Sequence, residues 1–404
     1  MRYQLGVAML SAQTTRTVRA TLPAVGAAIG DIADLFYKKM FAAHPELLRD
    51  LFNRGNQADG SQRQALAGSI AAFATALVEH PDVRPDAMLA RIAHKHASLG
   101  ITRDQYTIVH THLFEAIVDV LGEAVTPDVA RAWDEVYWLM ANALIAIEER
   151  LYAEAGAVDG STWRTWEIVE RVQETADVAT FRLSPCAGDE VPGFRPGQYV
   201  SVQVELPDGA RQIRQYSLSA APAETLSITV KRVHGVPEGE VSNHLHAHGH
   251  VGSRLTLSAP YGDVPPVDDA APLLLISAGI GCTPIVAMLD HLVRVDHAGP
   301  VTVLHADRSP AEHALRARHT RLADELAPGA VHFWYESAGA EDVPATRRGR
   351  MELTDITIPT GARAYLCGPL PFMRGVRARL IELGVRPADI HYEVFGPDLW
   401  LGGE

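Results

Sequence analysis

A chain of 404 residues is too long for one hydrophobic core and points to two or three domains. Its 47% hydrophobic and 21% charged residues are ordinary for globular protein, and a formal net charge of −13 argues against nucleic acid or an anionic membrane as the main partner. No uncharged apolar run reaches the length of a membrane span, so integral membrane association is not expected. The cysteines, Cys186, Cys282 and Cys367, have no disulfide or zinc spacing and suit a reducing, cytoplasmic setting. Met1–Leu10 is too short for a secretory leader, and Met9 is an alternative start.

From Ser11 to Tyr152 the apolar periodicity is helical. Val18, Leu22, Val25 and Ile29 form one stripe, with a break or bend expected at Pro23. Ile32, Leu35, Phe36, Met40 and Phe41 form the next, and Pro45 opens a further helix. Asn53–Gly60 reads as a loop, Gln62–Val78 as a long amphipathic helix that ends in Pro81–Pro85, and Asp104–Val120 and Pro127–Tyr152 as two more. Between them, Leu89–Leu99 carries Leu89, Ile92 and His96 on one face, while His94 lies roughly 200° around the helix from His96. A histidine on an apolar stripe suits a proximal haem ligand. A core histidine satisfied by a hydrogen bond is the plainer alternative from this helix alone.

The strings Phe36-Tyr37-Lys38-Lys39-Met40-Phe41, Pro45-Glu46-Leu47 and Phe52-Asn53 resemble the start of bacterial globin domains. The resemblance implies a distal tyrosine at Tyr37, a haem-packing phenylalanine at Phe52, and a distal glutamine at Gln62 with Leu66 one turn on. It also implies a proximal iron ligand at His96, with Tyr106 and Glu148 hydrogen-bonded to its imidazole. A carboxylate there strengthens electron donation to the metal.

Tyr152–Ser161 is small and reads as a flexible linker, after which the period changes to two. Trp166–Val172, Tyr199–Val204 and Ile228–Val233 alternate as strands of an antiparallel barrel. Inside it, Tyr199 follows Pro196-Gly197-Gln198, and Arg214-Gln215-Tyr216-Ser217 is an Arg-x-Tyr-Ser motif. Arginine suits a pyrophosphate, tyrosine stacks on an isoalloxazine, and serine reaches its N5. Gly239-Glu240-Val241-Ser242-Asn243 opens a short helix that suits phosphate. Together these resemble the FAD domain of ferredoxin–NADP reductase-like enzymes. The alternating His244, His246, His248 and His250 read as a loop without ligand geometry, so no metal is expected there.

Pro272–Ser277 is an apolar run typical of a buried parallel strand, followed by Gly279-Ile280-Gly281-Cys282-Thr283-Pro284 and a helix over Ile285–Val293. This Gly-x-Gly-x-x-Pro loop lets the backbone approach a pyrophosphate and points to the reductase family. Val301–Ala306, Val331–Tyr335 and Ala364–Pro369 are further strands, and Phe372–Leu383 a helix, as in a doubly wound nucleotide domain. Cys367 in Cys367-Gly368-Pro369 matches the residue near the nicotinamide in these reductases, with a buried small residue as the equal alternative. The resemblance also implies that the closing run Glu393-Val394-Phe395-Gly396-Pro397 returns over the flavin, with Phe395 on the ring. Lys95 and Glu393 would lie between flavin and haem, and Val394 replaces the family's usual cysteine.

In this order the three segments resemble a flavohaemoglobin over nearly the whole chain. The implied architecture is an all-α globin over residues 9–152, an antiparallel β-barrel FAD domain over 161–268, and an α/β NAD(P)-binding domain over 269–404. The implied cofactors are haem b, FAD and NAD(P)H, and the implied activity is nitric oxide dioxygenation. NAD(P)H reduces FAD, FAD passes single electrons to haem, and the haem converts NO and O2 to nitrate. An oxygen carrier or sensor with a haem reductase, and a reductase of peroxides or external acceptors, are the alternatives. A monomer is expected, NADH and NADPH stay open, as does a lipid in the haem pocket, and Arg308 after the second strand is a weak pointer to a 2′-phosphate.

Overall fold

The computed structural model describes residues 10–81, 85–158, 160–186, 188, 190–235, 238–267, 271–327, 329–337 and 346–396. The chain divides into two compact units. The first holds the chain up to Thr162 with Pro207–Ile213 and Gly396, and the second holds Trp163–Leu206 and Arg214–Phe395. Among the described residues, no helix is long and apolar enough to cross a membrane.

The helical part of the first unit runs α1 (Ala12–Ala43), α2 (Pro45–Asp50), α3 (Arg54–Ala58), α4 (Ser61–Glu79), α5 (Asp86–Leu99), α6 (Arg103–Leu121) and α7 (Pro127–Glu154). Caps explain several ends: Ser11 accepts from the Thr14 N–H, Thr126 from the Val129 N–H, and Thr102 with Gln105 forms a capping box. Ile32, Phe36, Tyr37 and Met40 pack against Leu113 and Ala116 of α6.

Three expectations for this unit are corrected. Helix α1 continues through Pro23. That proline is solvent-exposed while Val18 and Val25 are buried, so the carbonyl that loses its partner faces water. The loop expected over Asn53–Gly60 contains α3, because the Asn53 side chain accepts from the Gly55 and Asn56 N–H groups. The flexible linker is packed: the Tyr152 hydroxyl donates to the Ile101 carbonyl, and a Cβ on Gly160 (φ +76°) would stand 2.9 Å from the Gly100 oxygen.

The second unit carries β1 (Arg164–Thr175), β2 (Val178–Pro185), β3 (Tyr199–Glu205), β4 (Arg211–Ser217), β5 (Leu226–Lys231), α8 (Glu240–His248) and β6 (Arg254–Leu257), β4 beginning in the first unit. The six strands form one sheet in the order β4-β3-β6-β1-β2-β5. A bridge from Leu218, just past β4, to Ile228 of β5 joins the two edge strands, which closes the sheet in the manner of a barrel. The expected histidine loop is a correction: three of those residues lie on α8, and buried His246 donates to the Val230 carbonyl at 3.0 Å.

There follow β7 (Leu273–Ala278), α9 (Cys282–Arg294), β8 (Val301–Asp307), α10 (Arg316–Leu326), β9 (Val331–Tyr335), β10 (Thr346–Arg348), β11 (Arg363–Cys367), α11 (Leu370–Glu382) and β12 (Ile390–Glu393). These strands form a parallel sheet ordered β10-β9-β8-β7-β11-β12. Every residue of β7 is buried, as a strand covered on both faces requires. The strand order reverses between β7 and β11, which in open parallel sheets marks the ligand crevice.

Candidate functional site

Helix α5 buries Leu89, Ala93 and Ala97 and ends at Gly100 in the left-handed conformation (φ +75°). His96 stands beside that stripe, with a side chain 32% exposed. Its Nδ1 lies 2.9 Å from Glu148 Oε1 and 2.9 Å from the Tyr106 hydroxyl, which itself donates to Glu148 Oε1 at 2.5 Å. Glu148 is 2% exposed, so its carboxylate needs these donors. Burial and the Glu148 charge hold the Tyr106 phenol well above its usual range, keeping it a donor. The Nδ1 proton is therefore committed to Glu148, and Nε2 keeps its lone pair for a metal. These contacts suit a haem ligand on the exposed edge of the ring. His94 is half-buried. Lys95 Nζ donates to the Gly396 carbonyl at 3.0 Å.

Tyr37 is buried among Phe36, Phe41 and Phe52, with ring centroids 4.7, 5.6 and 5.9 Å away. Burial raises its phenol pKa, an effect that the nearby Gln62 and Gln57 side chains offset only in part. A buried hydroxyl beside a polar group inside an apolar wall suits a small polar ligand, and the Gln57 amide nitrogen is buried without a partner. Phe52 and Leu66 are partly buried against the same cluster.

Strand β4 carries the Arg-x-Tyr-Ser residues. Arg214 Nη2 lies 3.7 Å from Glu240 Oε2 at the start of α8, so the two motifs expected to serve one flavin meet. Gln215 Nε2 donates to Ser201 Oγ at 2.9 Å, Tyr199 is buried on β3, and Tyr216 is half-buried. Ser217 Oγ is buried with no hydrogen-bond partner, an orphan that a flavin ring nitrogen would satisfy.

The loop Gly279–Gly281 follows β7, and Cys282, Thr283 and Pro284 open α9, all three buried. Cys367 ends the neighbouring β11, in register with Ser277 of β7 and Glu393 of β12. A Cβ on Gly281 would stand 2.3 Å from the Cys367 oxygen. That glycine is required by the approach of two protein loops, whereas Gly279 (φ +54°) has open space around it. Pro284, Ile285, Cys367, Tyr392 and Glu393 line one small cleft, and Ile280 is packed against the core beneath it. Burial, with the Glu393 charge second, pushes the Cys367 thiol up, so it is a neutral packing group rather than a nucleophile. Val394 and Gly396 are half-buried and Phe395 is 44% exposed, while Pro397 lies outside the described residues. Arg308 pairs with Glu312 at 2.5 Å.

Sequence reading missed Gln57, Gln212 and a group of three histidines. Gln212 is fully buried; its Nε2 donates to the Leu48, Arg49 and Phe52 carbonyls and its Oε1 accepts from the Arg54 N–H. Nothing local marks it, because its partners lie about 160 residues away in sequence.

Three family models match in chain order: Globin over residues 34–144, the oxidoreductase FAD-binding domain over 165–265, and the oxidoreductase NAD-binding domain over 275–378. The chain is 43% identical over 402 residues to a flavohemoprotein of Chromobacterium violaceum, covering 96% of this chain and 98% of that protein. The crystal structure of a flavohemoglobin from Malassezia yamatoensis with bound FAD and heme matches with a TM-score of 0.88 at 38% identity, covering 96% of this chain and 100% of that one. The FAD/NAD-binding domain of a nitric oxide dioxygenase from Vibrio cholerae matches at a TM-score of 0.54 and 39% identity, over 58% of this chain and 99% of that one.

Proposed function

Since the chain belongs to the flavohaemoprotein family and is an NAD(P)H-dependent oxidoreductase with haem and FAD, we propose that it oxidises nitric oxide to nitrate. The observation that carries this reading is the doubly held His96 imidazole in the same unit as a buried Tyr37 with Gln62 and Gln57 beside it. The Vibrio cholerae nitric oxide dioxygenase domain supports it, being similar over the reductase part.

When bound, haem supplies the oxygen chemistry, and FAD converts a two-electron hydride into single electrons. His96 would hold the haem iron through Nε2, while Glu148 and Tyr106 fix the ring through Nδ1. Tyr37 and Gln62 would offer hydrogen bonds to a small ligand in the haem pocket, and Phe52 and Leu66 would exclude water around them. Arg214 would meet the flavin pyrophosphate, Tyr216 and Tyr199 would hold the ring system, Gln215 bonds Ser201 beside them, and Ser217 would donate to the ring edge. Gly279, Ile280, Thr283 and Pro284 shape the nucleotide crevice at the strand reversal, with Cys367 and Glu393 on its far wall. The proposed division is 9–152, 161–268 and 269–404, and one family model falls inside each part. The unpaired cysteines suit the cytoplasm.

The test is aerobic NO consumption by purified protein with NADH or NADPH, with nitrate as the measured product. Wild-type protein turns over and His96→Ala loses haem and activity, whereas His94→Ala keeps both. Oxygen or peroxide consumption without NO-dependent nitrate would overturn the reading.

A further inference from the structure

Three buried histidines outside the sites above converge beside the parallel sheet. His305 lies on β8, His313 just before α10, and His319 on α10, and one ring nitrogen from each lies within 4.8 Å of the others. All three are at most 2% exposed. The Nδ1 of His305 is 2.8 Å from the Ser277 hydroxyl, and the Nδ1 of His313 is 2.8 Å from the Tyr335 hydroxyl. Each hydroxyl can accept the Nδ1 proton, which leaves Nε2 of both rings as an electron-pair donor. Metal-binding histidines are held in this way, but the His305 and His313 rings stack with centroids 3.9 Å apart and planes 25° apart, so one ring must turn before both lone pairs meet on one ion. His313 Nε2 faces His319 Nδ1 at 3.0 Å. Two ligands on a tetrahedral zinc stand ~3.3 Å apart, so this pair needs little movement to share an ion.

A further donor lies beside His305, outside the group of three. Asp307 Oδ2 lies 3.6 Å from His305 Nε2, and both atoms are buried without a hydrogen-bond partner. The other Asp307 oxygen accepts from the Arg308 N–H, which holds the carboxylate in place. A buried carboxylate oxygen and a buried imidazole nitrogen left unpaired side by side are costly, and a cation between them satisfies both.

We propose that His305, His313, His319 and Asp307 form a closed binding site for a divalent transition ion, with zinc as the best-suited occupant. Three neutral nitrogens and one carboxylate are the borderline donors zinc takes in tetrahedral structural sites. Magnesium and calcium prefer oxygen-rich sets. The ion would tie α10 to β8 and leave the redox chemistry alone.

The test is equilibrium dialysis of the full-length holoprotein against Zn2+ buffered at about micromolar free concentration, with zinc, iron and flavin all quantified. The expected result is one tightly held zinc per chain, with X-ray absorption showing nitrogen and oxygen ligands at about 2.0–2.1 Å. His319→Leu and Asp307→Asn abolish retention with iron and flavin intact. Tyr335→Phe, which keeps all four ligands, weakens it by roughly ten- to hundredfold and remains informative if the other variants fail to fold. His248→Ala, on the exposed face of α8, changes nothing. Far less than one zinc per wild-type chain, equal retention in Tyr335→Phe, or loss in His248→Ala overturns the proposal.

Discussion

At the scale of single residues, chemistry is decided by which atom of a side chain is left uncommitted. His96 has Nδ1 held by Glu148 and Tyr106, whereas His246 has its Nε2 on a carbonyl, and only the first arrangement suits a haem iron. The helical spacing of Leu89, Ile92 and His96 was legible, although the face α5 buries is Leu89, Ala93 and Ala97, with His96 on its margin. Glu148 and Tyr106 lie 52 and 10 residues from His96, and only family resemblance could link them beforehand. For Tyr37, the hydroxyl is the group at stake. A neutral hydrogen bond is worth roughly 0.5–1.5 kcal/mol and one to a charged acceptor about 1.5–3. Tyr37→Phe should therefore speed oxygen release by roughly ten- to hundredfold, with haem content unchanged because the ring remains. Stopped-flow oxygen dissociation checks this; equal rates would leave Tyr37 a packing residue and Gln62 the donor.

Elements were most legible where periodicity was long and least where a side chain overrode a local rule. Helices α4, α6 and α7 lie close to their expected bounds, as do β7, β8 and β9. Pro23 did not break α1 because its exposed side leaves the orphaned carbonyl to water. Asn53 turned an expected loop into α3 through its side-chain cap. The histidine run on α8 looked like a loop because alternating polar residues hide the single inward position, His246. That residue has a pH signature. Burial, with Arg232 and Arg171 nearby, lowers its pKa below 6.5, so as pH falls the unfolded chain takes up the proton first. Its contribution is present above pH 6.5 and is lost as pH drops from there towards the folded value. His246→Gln keeps a donor for the Val230 carbonyl and cannot titrate. Denaturant unfolding at pH about 7 and about 5.5 should show a smaller loss of stability in the variant than in wild type.

At the scale of the whole molecule, the order of three modules was legible because their motifs are local: a helix face, an Arg-x-Tyr-Ser strand, and a glycine loop after an apolar strand. What ties distant segments together was not. Gln212 satisfies three carbonyls and one N–H of the α2–α3 region from a strand far along the chain, and the compact first unit accordingly includes Pro207–Ile213. The close approach of Gly281 to the Cys367 backbone likewise joins segments far apart in sequence. The His305, His313 and His319 group is assembled from a strand, a loop and a helix with no fixed spacing. Separate assembly of the cofactor sites is itself testable. Arg214 and Ser217 belong to the second unit, and His96, Tyr106 and Glu148 to the first. Removing Arg214 removes the charge placed for a pyrophosphate beside α8, and a charge-assisted hydrogen bond of that kind is worth roughly 1.5–3 kcal/mol. Arg214→Ala should weaken FAD binding by roughly ten- to hundredfold. Ser217→Ala leaves the pyrophosphate contacts alone and removes one donor at the ring, so it should slow flavin reduction more than it lowers flavin content. Both variants should keep full haem, since every group around His96 is untouched. Flavin fluorescence after denaturation, the haem absorption band and anaerobic NAD(P)H reduction give the three readouts. Full flavin content with unchanged reduction in both variants would remove the motif from the mechanism, and haem loss in either would show that the two sites do not assemble independently.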